Sequence, residues 1–125
     1  MAQVQLQRLM AVMEELRAQA SVRVGDIVVN PLYSRWNHQG IYEIRERDDK
    51  QTVYIGKTRK AQEGVAQRIW DHANQVSNLV ETLEVTRETF ADYRVRSIRI
   101  EDARFRGLAE YFGIAICDPK GNRVG

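Results

Sequence analysis

GIYEIRERDDKQTVYIGKT, residues 40–58, holds two short apolar runs around a charged middle, each run built on Gly, Ile and Tyr. Side chains alternate along a strand. On that rule Gly40, Tyr42 and Ile44 share one face, and Ile41 and Glu43 the other. In the second run Tyr54 and Gly56 share a face, and Val53 and Ile55 the opposite one. A β-hairpin is predicted. The connection RERDDKQ lacks Asn-Gly and Asp-Gly, so it is expected to be a longer loop rather than a two-residue turn.

Outward from the hairpin, the periodicity changes. Residues 3–19 carry Leu6, Leu9, Met10, Met13 and Leu16 at helical spacing, which predicts an amphipathic helix. VGDIVVNP predicts a short strand at about 25–29, ended by Asn30 and Pro31. LYSRWNHQ is irregular and reads as a loop pinned by its aromatics. A helix is predicted over 62–80, where Val65, Ile69, Val76 and Val80 fall within about 60° of arc. His72 falls with them, and Arg68 lies to one side, four residues before His72 and so on the same face. An unpartnered buried Arg is costly, so this pair suggests a cleft at the sheet edge.

Residues 90–102 predict a further strand with imperfect alternation, which suggests a bulge or an edge position. A last helix is expected over about 102–116, with Phe105, Leu108, Phe112 and Ala115 as its main stripe. Glu110 falls on the other side, among Ala103, Gly113, Ile114 and Cys117, where a lone carboxylate needs a crevice or a cation. The order predicts an α+β domain: a small central antiparallel sheet of about three strands, with a fourth N-terminal strand as an option, flanked by helices. Residues 1–39 form an N-terminal helix-and-strand extension on a core domain of residues 40–125.

Bulk properties narrow the classes. The chain has 125 residues, enough for one core, with 43% hydrophobic and 29% charged residues. No apolar run reaches the ~18 residues of a membrane helix. Charges at Arg8, Glu14, Glu15 and Arg17 exclude a signal peptide in the first helix. One cysteine, Cys117, excludes an internal disulfide and a thiolate metal cluster, so a cytoplasmic protein is expected. The net charge of +2 is mild, but Arg94, Arg96, Arg99, Arg104 and Arg106 fall close together, which permits a polyanion partner.

At these residues the chain resembles the GIY-YIG nuclease family over about residues 39–122. Gly40-Ile41-Tyr42 matches the first signature tripeptide and Tyr54-Ile55-Gly56 the second, with eleven residues between the tyrosines. Lys57 and Thr58 follow where many members have Lys or Ser. Arg68 and His72 match the Arg of the next helix and the residue one turn on. Glu110 matches the metal-binding Glu of a later helix. Pro119 and Asn122 match the closing loop and its Asn. The resemblance implies a DNA endonuclease, a hydrolase using one Mg2+, with Mn2+ as a substitute. It implies a site of Tyr42, Tyr54, Lys57, Arg68, His72, Glu110 and Asn122, with Glu110 as the metal ligand.

The chemistry is consistent with that set. Magnesium needs one or two protein carboxylates, because waters and phosphate oxygens complete its shell. Arg68 offers a forked cation for a phosphate oxygen. Tyr42 is the choice for general base. Its ordinary pKa of ~10 is too high for that task at neutral pH, so nearby positive charge has to lower it. Lys57, Arg68 and the metal are the candidates. Tyr54 would orient water or phosphate, His72 hold phosphate or relay a proton, and Asn122 fix local geometry. Two other readings stand beside this one. One is a nucleic-acid-binding module of the same fold without cleavage. The other is an unrelated interaction domain whose N-terminal helix meets a partner or a second copy in a homodimer.

Overall fold

A computed structural model describes residues 3–27, 35–59, 63–74 and 77–123. The chain opens with helix α1 (Gln3–Ala18), strand β1 (Val22–Arg23) and a short helix α2 (Val24–Ile27). The hairpin β2 (Gly40–Arg45) and β3 (Thr52–Lys57) follows, then helices α3 (Val65–Ala73), α4 (Leu79–Thr82) and α5 (Arg87–Phe90). Strand β4 (Arg94–Arg99), helix α6 (Ala103–Cys117) and a 3-10 turn (Lys120–Asn122) complete the described residues. The sheet has four antiparallel strands in the order β1-β4-β2-β3. The protein is therefore α+β.

The pleat separates two cores. Tyr42, Ile44 and Val95 face α3, where Val65, Ala66, Ile69, Leu79 and Phe90 close over them. Ile41, Ile55 and Ile98 face the other way, onto Leu9, Met13 and Leu16 of α1 and Phe105 and Ala109 of α6. The N-terminal helix thus supplies part of one core. Asp102 starts α6 by accepting hydrogen bonds from the N–H groups of Arg104 and Phe105. The helix ends at Asp118 in the left-handed region, at φ 43°.

Several sequence expectations shift. The N-terminal strand is Val22–Arg23, not 25–29: Val24–Ile27 turns helical, and residues 28 and 29 lie outside the described residues. The helix expected over 62–80 is two helices, α3 and α4, with Asn74 as the C-cap of the first. Helical periodicity persists across that break, so the apolar stripe alone did not reveal it. The third strand of the core begins at Arg94, because Arg87–Phe90 is helical.

The register slips in β3, not in β4: Ile44 pairs with Tyr54 but Arg45 pairs with Thr52, leaving Val53 as the extra residue. Val53 accordingly packs in the α3-side core with Ile44, apart from Ile55. In α6 the buried line is Phe105, Ala109 and Gly113, and Ala115 is exposed. Gly113 is buried against Ile55 and Met13, which a side chain there would crowd.

The arginine cluster of β4 and α6 also divides. Arg94 binds Ser21, Arg96 pairs with Glu43 and donates to the Arg17 carbonyl, and Arg106 is buried. Arg99 and Arg104 remain exposed. No described helix is long and apolar enough to cross a membrane.

Candidate functional site

The site is built where the α3 face of the hairpin meets α3. Tyr42 on β2 pairs in register with Gly56 on β3, and Tyr54 is the neighbour one step inside. A Cβ at Gly56 would overlap the Tyr42 hydroxyl, so glycine is needed there for the phenol to lie across the strand. Gly40 meets a similar demand, since a Cβ would overlap the Ile98 carbonyl of β4.

Helix α3 contributes the polar partners. Its first N–H groups are taken by the preceding loop: Val65 N–H donates to the His38 carbonyl and Ala66 N–H to the Trp36 carbonyl. That docking fixes the helix against β2. One turn in, Arg68 and His72 face the tyrosines. Tyr42 Oη and His72 Nε2 are hydrogen-bonded at 2.8 Å. The Tyr54 and His72 rings meet edge-on with centroids 5.1 Å apart, and the two tyrosine rings lie 6.1 Å apart. Tyr42 is 0% exposed, His72 1% and Arg68 8%, so these polar groups are withdrawn from water.

Arg68 donates from Nη1 to Asp71 at 3.2 Å, and its Nε lies 3.7 Å from Glu63. That second separation is a charge contact rather than a hydrogen bond. Nε is the one buried side-chain polar atom among the described residues that has no hydrogen-bond partner. Native proteins rarely leave such a donor unpaired, and an incoming acceptor is one explanation.

Burial sets the protonation states. It pushes the Tyr42 phenol well above its ordinary value; Tyr54 adds to the push and Arg68 opposes it. Tyr54 is raised for the same main reason, with Arg68 again opposing. Burial, with the charges of Arg68 and Arg59, lowers His72 to about 3, so its imidazole is neutral. Tyr42 therefore holds its proton unless a neighbour takes it. His72 Nε2 is within reach for that transfer.

Lys57 and Glu110 approach from the far end of β3. Gly107 on α6 leaves room for Lys57, whose Nζ lies 3.3 Å from the position of a Cβ there. Glu110 follows Gly107 by three residues, on the same helical face. Its carboxyl is half-buried, and burial raises its pKa against the pull of Lys57, Arg68 and Arg59. Among the described residues it takes no hydrogen bond or ion pair. No group of three or more His, Cys, Asp or Glu able to hold a metal occurs among the described residues. A single unpaired carboxylate fits Mg2+, which keeps its waters, and not zinc.

The structure thus brings Tyr42, Tyr54, Arg68 and His72 together, with Glu110 acting on the two tyrosines by charge and Lys57 acting on Glu110. Asn122 is used elsewhere. Its amide accepts from Ile55 N–H and donates to the Ile55 carbonyl, both at 2.8 Å, so it pairs with the free edge of β3 as a strand would. Sequence reasoning missed Asp71 and Glu63, which steady Arg68, and Ser77, whose Oγ lies 2.5 Å from His72 Nδ1. Asp71 was readable as the residue three after Arg68. Ser77 was hidden by the unseen break after α3. No protein-family model matches the chain, and no curated protein matches it.

Proposed function

We propose that this chain is a GIY-YIG-type endonuclease that hydrolyses DNA phosphodiester bonds with one divalent cation. The observation that carries the reading is the buried Arg68, which is flanked by Glu63 and Asp71 but whose Nε has no hydrogen-bond partner among the described residues, and whose charge acts on two phenols and a neutral imidazole. Such a donor suits a phosphate oxygen, which accepts a charge-assisted hydrogen bond. The choice of DNA rests on the sequence resemblance.

In this mechanism Arg68 holds a phosphate oxygen and stabilises charge that grows in the transition state. Tyr42 receives a proton from the attacking water after passing its own to His72 Nε2. The direction of both shifts makes this transfer unfavourable in the resting site: burial raises the phenol and lowers the imidazole. Arg68 offsets part of that cost by stabilising the phenolate. Tyr54 orients the water, and Lys57 supports the phosphate or the leaving oxygen. Glu110 would hold Mg2+, or Mn2+ in its place, and the bound cation would supply Lewis-acid neutralisation of the phosphate. Asn122 keeps β3 in place.

A binding module without cleavage draws on one observation, the complete burial of Tyr42. One experiment separates the two. Supercoiled plasmid and a panel of flap, fork and junction DNAs are incubated with magnesium, manganese or EDTA, using wild type, Tyr42→Phe and Glu110→Ala. Metal-dependent products from the wild type, absent from both variants, are expected. DNA retained without products on any substrate would refute the enzyme and favour the binding module.

A further inference from the structure

A neutral histidine has two ring nitrogens and one proton to place. In His72 both nitrogens are engaged: Nε2 with Tyr42 Oη at 2.8 Å, and Nδ1 with Ser77 Oγ at 2.5 Å. The side chain is 1% exposed, so these contacts decide where the proton sits. Two arrangements are open. Either Tyr42 donates to Nε2 and Nδ1–H donates to Ser77, or Ser77 donates to Nδ1 and Nε2–H donates to Tyr42.

Arg68 separates them. A guanidinium is a fixed cation with donors and no acceptor. Its positive charge acts on the Tyr42 oxygen. A phenol oxygen beside such a group turns its lone pairs toward the cation and its proton away. His72 Nε2 is the acceptor within hydrogen-bond distance. The histidine proton then belongs on Nδ1, and Ser77 Oγ must accept it. That oxygen also lies 3.4 Å from the Leu79 N–H, and its two lone pairs serve both donors.

The fold supplies the geometry. In an unbroken helix the residue five after His72 would lie about 140° around the axis and could not reach the ring. The chain leaves α3 after Ala73 and begins α4 at Leu79, and this break returns Ser77 to the imidazole.

We propose that Ser77 is a positioning residue that fixes His72 in its Nδ1–H form and so presents the Nε2 lone pair to Tyr42. The consequence for catalysis rests on the nuclease reading, because Nε2 is where the Tyr42 proton goes. The proton position itself does not depend on that reading. Burial, Arg68 and Arg59 keep the ring neutral far below physiological pH, so it carries a single proton over the range of the test.

The test is 15N NMR of histidine-labelled protein, without DNA or metal, over about pH 5 to 8. The chain has two histidines, so His38→Gln assigns the signals of His72. A protonated Nδ1 and an unprotonated Nε2 are expected in the wild type. In Ser77→Ala the proton should move largely to Nε2, and Ser77→Thr should restore the wild-type pattern. Wild-type protein with its proton on Nε2 overturns the proposal, whether or not any variant folds. An unchanged Nδ1–H signal in Ser77→Ala overturns it too. In cleavage assays Ser77→Ala should lower kcat by about tenfold or more with KM little changed, and Ser77→Thr should recover it. A wild type that fails to cleave would refute the function while leaving the tautomer result to stand.

Discussion

Two arginines are buried among the described residues, and they are held in opposite ways. Arg106, 5% exposed, donates from Nε to the Thr58 carbonyl and from Nη1 to the carbonyls of Ile100 and Glu101. It ties the end of β3 and the chain after β4 to α6. Arg68, 8% exposed, reaches Asp71 and lies in charge contact with Glu63, but its Nε makes no hydrogen bond. Two carboxylates repeat the contrast. Glu43, 3% exposed, is bound by Arg45, Arg96 and Thr52. Glu110 is only half-buried, yet it has no hydrogen bond or ion pair among the described residues. A saturated buried charge supports the fold, whereas an unsaturated one has capacity left for a ligand.

The largest expected effect lies on cleavage. Arg68→Ala, and Arg68→Lys, which keeps the charge but loses the fork, should each lower kcat by roughly a hundredfold to a thousandfold. Arg68→Lys should retain most of the stability. Arg106→Ala should do the reverse, because it leaves three carbonyls without their donor. At about 1 kcal/mol each, the loss is about 3 kcal/mol in urea denaturation, with activity following the folded fraction. If both arginines proved to be stability residues with no separate effect on cleavage, the contrast would collapse.

Glu110 gives the next test. Its folded pKa lies above its ordinary value because burial disfavours the charge. The folded state therefore binds that proton more readily than the unfolded state. Stability from this group is present below the unfolded pKa and is lost as pH rises through the folded one. Glu110→Gln should make the metal-free protein more stable at neutral pH, and the gain should vanish as pH falls through the ordinary carboxylate range. The same variant should abolish stabilisation by Mg2+ in a thermal shift, which in the wild type should weaken as Glu110 becomes protonated. A neutral-pH gain of zero would show that the carboxylate is already compensated.

Asn122 should show the smallest effect. Asn122→Ala removes two hydrogen bonds to the edge of β3, at a cost of about 1–2 kcal/mol. Cleavage by the folded protein should change by less than about threefold. A loss as large as that of Arg68→Ala would return Asn122 to the chemistry.

The hairpin, α1 and α6 were legible because each buries one face and writes its period into the chain. The alternation of residues 40–44 placed Tyr42 and Ile44 together, as found in the α3-side core. The bulge at Val53 was not legible, since nothing in VYIG distinguishes a strand from a strand with an extra residue. Nor was the break after α3, because Val80 keeps the helical stripe although it lies in α4. Leu6 and Met10 belonged to the α1 stripe in the sequence but remain 42% and 51% exposed, since α6 and β4 cover only Leu9, Met13 and Leu16.

For the site, the chain alone names the residue types and their order: two phenols twelve residues apart, an Arg and a His one turn apart, and a Glu on a small-residue face. It does not say which charges are already spent. Arg68 and Arg106 are the same residue type, each in or near an amphipathic helix, and by sequence either is a candidate anion ligand. Tertiary structure decides between them. Hydrogen bonding depends on groups brought within about 3 Å from distant parts of the chain. Arg106 meets three carbonyls there, whereas Arg68 Nε meets none.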